Sequence, residues 1–180
     1  GCGQAKQAVS LFHTNFQNRI DKSGLLLNYG QTPLSKSRLL KYINYEQHPC
    51  GENVIVAVMS HTAFNVEDAI LINQAALDRG LFQTTYYNMY EAREESDTVG
   101  KSTMNSKITN IEDTILEKFK PGYEYGHLDT NGLIKENTFM DDKKVVIGKI
   151  TTSINTPDEI TDSSVFPKKG QLGYVDKTYL

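Results

Sequence analysis

The stretch Val54-Ile55-Val56-Ala57-Val58-Met59-Ser60-His61-Thr62-Ala63-Phe64-Asn65-Val66-Glu67-Asp68-Ala69-Ile70-Leu71-Ile72-Asn73 sets two apolar runs on either side of a polar turn that carries two adjacent carboxylates. Val54 to Met59, a short continuous apolar run, reads as a fully buried strand, and Ala69 to Ile72 is a second run of the same kind. Upstream, Ala5 to Phe16 has a weak helical period through Ala5, Ala8, Val9, Phe12 and Phe16. Between them lies Gly30-Gln31-Thr32-Pro33-Leu34, a turn segment in which Pro33 forbids helix continuation and pushes Thr32 into extended geometry. Downstream, Gln74 to Arg79 is a short helix that Gly80 stops by tolerating positive φ. Leu81 to Tyr90, rich in Thr and Tyr, then reads as a strand.

The texture changes near Phe82. Beyond it the chain is polar and interrupted, with turns at Pro121-Gly122, Asn131-Gly132 and Pro167. Lys143 to Ile150 reads as a strand entered from Asp141-Asp142, Gly170 to Tyr179 as another, and the polar stretch Asn155 to Ser164 as a loop. There is no internal repeat. The expected fold class is α+β, dominated by short strands.

Composition narrows the function classes. Of 180 residues, 38% are hydrophobic and 23% charged, with a net charge of −3, which describes an ordinary soluble globular chain. A chain of this size removes about 70% of its unfolded surface from water on folding, so disulfide staples are not needed. Cys2 and Cys50 stand far apart with no CxxC pair, which fits a reducing compartment. A membrane span needs about 20 apolar residues, far more than Val54 to Met59 offers, so no membrane partner is expected. A freestanding nucleic-acid binder is normally basic, so any contact with nucleic acid here must be local. Gly1-Cys2-Gly3-Gln4 has neither an initiating Met nor an apolar signal core, and the chain reads as a piece of something longer.

The acidic pair Glu67-Asp68 is the leading candidate site. Two carboxylates between apolar runs are expensive to desolvate unless a cation or a basic partner is present. Mg²⁺ takes carboxylate oxygen and keeps water or substrate phosphate as its other ligands, so the pair can be half of a phosphate-metal site. On composition alone a solvated turn is the commoner reading. Lys6 and Gln7 offer a point charge and an amide to a phosphodiester backbone, contacts that position a nucleic acid without reading its sequence. For a single Lys-Gln pair the exposed face of a helix is the better alternative. Lys36, Arg38 and Lys41 form a small basic group that suits a phosphate or a solvated loop equally. His13, His48, His61 and His127 lack metal-ligand spacing, and His48 with Cys50 supplies two ligands where structural zinc needs four, so no zinc is expected. Without a Gly-x-Ser-x-Gly elbow, hydrolase chemistry has little support. Without a Gly-x-x-x-x-Gly-Lys or Gly-x-Gly-x-x-Gly loop, the nucleotide-binding folds built on them are excluded.

Taken in order along the chain, the motifs form one pattern. Gly3 to Ala8 is similar to Gly-Lys-Gln-Ala with Ala5 in place of Gly. Tyr29-Gly30-Gln31-Thr32-Pro33-Leu34 is similar to Tyr-Pro-Gln-Lys-Pro-Leu, and Pro49-Cys50-Gly51-Glu52-Asn53-Val54-Ile55-Val56-Ala57 follows it. The most specific stretch is Phe64 to Asn73, with Leu77-Asp78-Arg79-Gly80-Leu81-Phe82 at the matching distance. Later come Tyr125 to Ile134, Val146-Ile147-Gly148-Lys149 and Gly173-Tyr174-Val175-Asp176. In this order they resemble the second-largest (β-type) subunit of multisubunit DNA-directed RNA polymerases, in its eukaryotic, archaeal and large-DNA-virus form.

The resemblance implies a fragment of a subunit that carries out template-directed nucleotidyl transfer only in the assembled enzyme. Residues 1–83 would be the first segment of the hybrid-binding region, and 84–180 part of a β-rich wall (flap) lobe. Asp68, with Glu67 beside it, falls where the family places a carboxylate near the second, nucleotide-borne Mg²⁺, an ion shared with the largest subunit. Lys6 and Gln7 fall where the family faces the RNA near its growing end. The implied partners are the largest and the other polymerase subunits, the DNA template, the RNA–DNA hybrid and nucleoside triphosphates. The family's paired lysines beside the nucleotide site and its zinc-binding C-terminal part lie beyond Leu180. Location would be intracellular, in the nucleus or, for a virus, the host cytoplasm or viral factory. Asn65-Val66, where cellular relatives carry Asn-Gln or Asn-Phe, points to a large-virus origin. The alternative is a non-catalytic, polymerase-like scaffold or protein-interaction module. The acidic net charge speaks mildly for it, and the presence of Glu67-Asp68 and Lys6-Gln7 speaks against it.

Overall fold

The computed structural model describes residues 18, 21–99, 102–111, 120–156 and 160–180. The chain divides into two compact units, Gly1–Met89 and Tyr90–Leu180. The expected helix over Ala5 to Phe16 lies outside the described residues.

The first unit is organised on an antiparallel ribbon of β1 (Ser23–Leu27) and β2 (Thr84–Asn88), paired from Ser23 opposite Asn88 to Leu27 opposite Thr84. Hydrogen bonds continue past both ends, from the Met89 amide to the Lys22 carbonyl (2.7 Å) and from the Asn28 amide to the Gln83 carbonyl (2.9 Å). β2 is the core of the strand expected over Leu81 to Tyr90, and its Thr and Tyr residues suit a half-buried pleated surface. Just before it, α1 (Gln74–Asp78) forms where the Gln-Ala-Ala-Leu-Asp run predicts a helix. Asn73 caps its start by accepting the Ala76 amide at 3.1 Å. Its end is a Schellman motif: the Leu81 amide reaches the Ala76 carbonyl (3.0 Å) and the Gly80 amide the Leu77 carbonyl (2.9 Å). Gly80 sits at φ +103°, and a Cβ there would stand 3.0 Å from the Tyr29 ring, so glycine is needed for both conformation and space.

The two apolar runs depart from expectation. Residues 54–59 form no strand, and Ile55 and Val58 are fully exposed, at 104% and 98%. Residues 69–72 are also irregular, with Ile70 83% exposed. An unbroken apolar run records that a segment must be covered. It does not name the cover, and none of the described residues supplies one.

In the second unit, β3 (Ser96–Val99), β4 (Ser102–Ile108), β6 (Lys149–Ser153) and β7 (Ile160–Asp162) form an antiparallel sheet in the order β3-β4-β6-β7. β5 (Phe139–Met140) and β8 (Gly173–Tyr174) make a separate short ribbon. The core is Ile111, Tyr125, Leu128, Ile134 and Val145, with Met140, Val146, Ile150, Phe166 and Val175 packed on it. The turn at Asn131-Gly132 feeds this core: Asp129 accepts the amides of Asn131 (2.9 Å) and Leu133 (2.8 Å), and Gly132 stands at φ +81°. A Cβ on Gly132 would lie 2.6 Å from the Thr109 carbonyl, so the backbone itself is the neighbour.

Three expectations in this unit are corrected. The strand expected over Lys143 to Ile150 begins regular pairing only at Lys149. Before that the chain touches successive partners through single bridges, Lys144 with Glu124 and Ile147 with Leu133 and Val165. Its entry is as expected, with Asp141 accepting the Lys143 and Lys144 amides, bonds that hold the Asp141 carboxyl below the usual range. The loop expected over Asn155 to Ser164 contains β7, because Ile150, Thr151 and Thr152 of β6 offer it a free edge that a polar sequence does not reveal. The strand expected over Gly170 to Tyr179 shrinks to β8. β3 and β4 come from polar sequence with no pattern that announced them. The strand-dominated part of the α+β expectation holds, with one five-residue α-helix among the described residues. No helix among them is long and apolar enough to cross a membrane.

Candidate functional site

The acidic pair lies on a long excursion of the first unit, and both ends of that excursion are pinned. At the start, Gln31 Oε1 accepts from the Asn53 backbone (2.9 Å) and side-chain (3.3 Å) amides. Asn53 in turn donates to the Thr32 carbonyl (3.0 Å) and accepts the Leu34 amide (3.2 Å). Glu52 accepts the Phe82 amide at 3.1 Å, and the Gln31 amide reaches the Gly51 carbonyl at 2.7 Å. At the far end Asn73 caps α1. The turn expected over Gly30 to Leu34 is therefore one side of a polar brace.

Between the pins, residues 66–72 belong to no strand or helix, and Glu67-Asp68 form a turn. The polar anchor within the excursion is Asn65. Its Nδ2 donates to the Met59 carbonyl (2.6 Å) and its Oδ1 accepts the His61 amide (3.1 Å), while the Phe64 amide reaches the His61 carbonyl at 3.0 Å. Two pairs of left-handed residues flank Asn65. Thr62 and Ala63 have φ +50° and +61°, and Glu67 and Asp68 have φ +58° and +66°. For residues bearing a Cβ this costs about 1–2 kcal/mol each, and Thr62, branched at Cβ, is the least suited of the four.

Glu67 and Asp68 are both exposed, and among the described residues neither carboxylate has a hydrogen-bond or ion-pair partner. No group of three His, Cys, Asp or Glu side chains among the described residues converges as a metal site. Two open carboxylates on adjacent residues fit a Mg²⁺ that brings its own water and phosphate ligands, which is how that ion is commonly held. They do not form a closed cage. The buried strands expected on either side are absent, so the desolvation that made the pair notable is not supplied by the described residues.

The other candidates divide. Lys6 and Gln7 lie outside the described residues. Lys36 is paired with Glu46 at 3.0 Å and Lys41 lies 5.2 Å from the Tyr42 ring, so the basic group is partly neutralised. The Cys50 thiol and the Tyr45 hydroxyl are hydrogen-bonded at 3.2 Å, and the interaction of the two groups raises the Tyr45 phenol above its ordinary value. In the second unit an open cleft of about 430 Å³ is lined by Glu91, Arg93, Glu95, Lys149 and Ser163, a mixed set with Lys149 4.0 Å from Glu95. Sequence reading missed the parts played by Asn53 and Asn65. The available signal was an Asn at the edge of the first apolar run and another in the polar turn after it, the residue type that most readily closes local backbone turns.

The sequence description of the family RNA polymerase Rpb2, domain 6, matches residues 1–180, the whole chain. The chain belongs to the RNA polymerase Rpb2 domain 6 family. It is 35% identical over 144 residues to the DNA-directed RNA polymerase II subunit RPB2 of Schizosaccharomyces pombe, covering 80% of this chain and 12% of that protein. With the Rpo2 subunit of Saccharolobus solfataricus it shares 32% over 180 residues, covering 96% of this chain and 16% of the relative. With the RNA polymerase II subunit 2 of Arabidopsis thaliana it shares 30% over 183 residues, covering 97% and 15%. The chain thus spans about an eighth to a sixth of the length of these relatives. The Rpb2 domain 6 match includes the Asn65 staple, the acidic pair and the core-forming turn at Asn131-Gly132 in one continuous span.

Proposed function

We propose that this chain is part of the second-largest subunit of a DNA-directed RNA polymerase and contributes to template-directed nucleotidyl transfer in the assembled enzyme. The observation that carries this reading is the whole-chain match to Rpb2 domain 6, with relatives from archaea, fungi and plants that are all named as RNA polymerase subunits. Residues 1–83 serve as the first segment of the hybrid-binding region and residues 84–180 as part of the wall. The partners are the largest and remaining polymerase subunits, the DNA template, the RNA–DNA hybrid and nucleoside triphosphates, and the setting is intracellular. A viral origin belongs to the same reading and rests on Asn65-Val66 alone.

Asp68, assisted by Glu67, faces the triphosphate's metal. When bound, Mg²⁺ supplies charge neutralisation at the phosphates during in-line displacement. The chain's own contribution is placement of negative charge from an exposed turn, with no covalent role for either carboxylate. Lys6 and Gln7 hold the RNA backbone near its growing end. The test is Asp68→Ala in the complete subunit. Assembly should be unchanged, and single-nucleotide addition should fall about 10²-fold or more, the loss typical of removing one electrostatic stabiliser. Addition at the normal rate under limiting Mg²⁺ would leave the scaffold alternative as the better reading.

A further inference from the structure

We infer that Asn131-Gly132 is a deamidation site that the fold of the second unit keeps shut, and that the isoaspartate form of the chain cannot regain that fold. The pair is the one Asn-Gly in the sequence. Glycine is the least hindered residue to follow Asn, because no Cβ shields its amide nitrogen from the Asn side chain. In the reaction Gly132 N gives its proton to solvent base and bonds to Asn131 Cγ, and the side-chain nitrogen leaves as ammonia. Water then opens the resulting succinimide. Breaking its Cγ–N bond leaves an ordinary aspartate at 131, whereas breaking the original peptide bond to Gly132 reroutes the main chain through Cβ and Cγ as isoaspartate. Asn131 is exposed, so water has access, but Gly132 is buried and its nitrogen is held. The Gly132 amide donates to the Asp129 carbonyl at 3.1 Å, and the Gly132 carbonyl accepts the Gly148 amide at 2.8 Å. On either side, the Asn131 and Leu133 amides are fixed on Asp129 Oδ1 at 2.9 and 2.8 Å. Attack on Cγ requires the Gly132 nitrogen to leave Asp129 and the peptide plane to turn, so ring closure waits for a local opening. The isoaspartate product adds one main-chain atom just before a residue whose added Cβ would lie 2.6 Å from the Thr109 carbonyl. The neighbour is backbone, with no side chain to move aside, and Gly132 cannot be displaced without losing its bond to Gly148.

The experiment follows the full 180-residue chain at mildly alkaline pH across a urea series, reading conversion at Asn131 by peptide mass and isoaspartate content. Conversion in the unfolded chain should be about tenfold faster or more than in the folded chain, and through the transition it should track the unfolded fraction, as for any reaction confined to an open state. Equal rates in the folded and the unfolded chain overturn the inference. Asp129→Ala removes the side-chain acceptor of two amides in the turn and should speed conversion in the folded chain. A folded Asp129→Ala chain that converts no faster than the parent also overturns it, and if that variant does not fold the urea series carries the test. After conversion in urea and dilution, chains with aspartate at 131 should refold and chains with isoaspartate should not, read by hydrogen-exchange protection of the Ile134 and Gly148 amides. Asn131→Asp, made directly, should refold, which separates the extra main-chain atom from the added charge. Refolding of the isoaspartate chains to the same protection, or failure of Asn131→Asp to refold, overturns the second half of the inference.

Discussion

Asn53 and Gln31 are joined twice, the Gln31 side-chain oxygen accepting both amide groups of Asn53, at 2.9 and 3.3 Å, across 22 residues of sequence. This contact fixes where the apolar excursion leaves the first unit, since the next residue along is Val54. Asn53→Ala removes three side-chain bonds at once, to Gln31, Thr32 and Leu34. At about 0.5–1.5 kcal/mol net per bond, and toward the low end for exposed groups, the expected loss is about 1–2 kcal/mol. Hydrogen exchange should show faster exchange of the Leu34 and Asn53 amides in the variant. Unchanged protection at both would mean that the brace contributes nothing to the unit.

The second unit has its own testable pair. Tyr125 Oη donates to Asp162 at 2.5 Å, and burial, then this bond, then the Asp162 charge push the phenol well above its ordinary value of 10. The unfolded phenol loses its proton near pH 10 while the folded one keeps it, so the unfolded chain binds fewer protons above that pH. The stabilisation is complete below pH 10 and declines as pH rises beyond it. Tyr125→Phe should lower the urea midpoint at pH 7 and flatten its fall between pH 9.5 and 11. An alkaline fall just as steep in the Phe variant would assign it to other groups.

Lys6 is expected to hold the RNA backbone, and phosphate contacts position without specifying. Lys6→Ala in the complete subunit should weaken retention of the transcript and make it more sensitive to salt, with the choice of incoming base unaltered. Altered misincorporation together with unchanged retention would reverse that assignment.

For the isolated 180-residue chain, two carboxylates are too few ligands for an ion that demands near-octahedral oxygen coordination. Calorimetry should find Mg²⁺ binding no tighter than to an ordinary acidic surface, and no nucleotidyl transfer. Micromolar affinity without a nucleoside triphosphate would show a self-contained site. The exposed Ile55, Val58, Phe64 and Ile70 should also make the chain self-associate, and Ile55→Ser with Val58→Ser should reduce association without lowering thermal stability.

Sequence alone determined those features whose cause is local. The helix after Asn73 and its stop at Gly80 follow from a cap, a run of helix formers and one residue free to take positive φ, all within nine positions of chain. The turns at Pro121-Gly122 and Asn131-Gly132, and the entry at Asp141, are legible for the same reason. Family membership was legible too, because motif order is a property of sequence. Tertiary structure decided everything that depends on a partner strand or a cover. Residues 54–59 have the apolar content of a buried strand, yet with no partner among the described residues they run exposed, whereas the polar Ile160–Asp162 is a strand because β6 presents it an edge. The candidate site divides along the same line. Glu67 and Asp68 can be picked out as residues, but their left-handed turn, and the bonds that tie Asn65 back to Met59 and His61 before it, exist only in the folded chain.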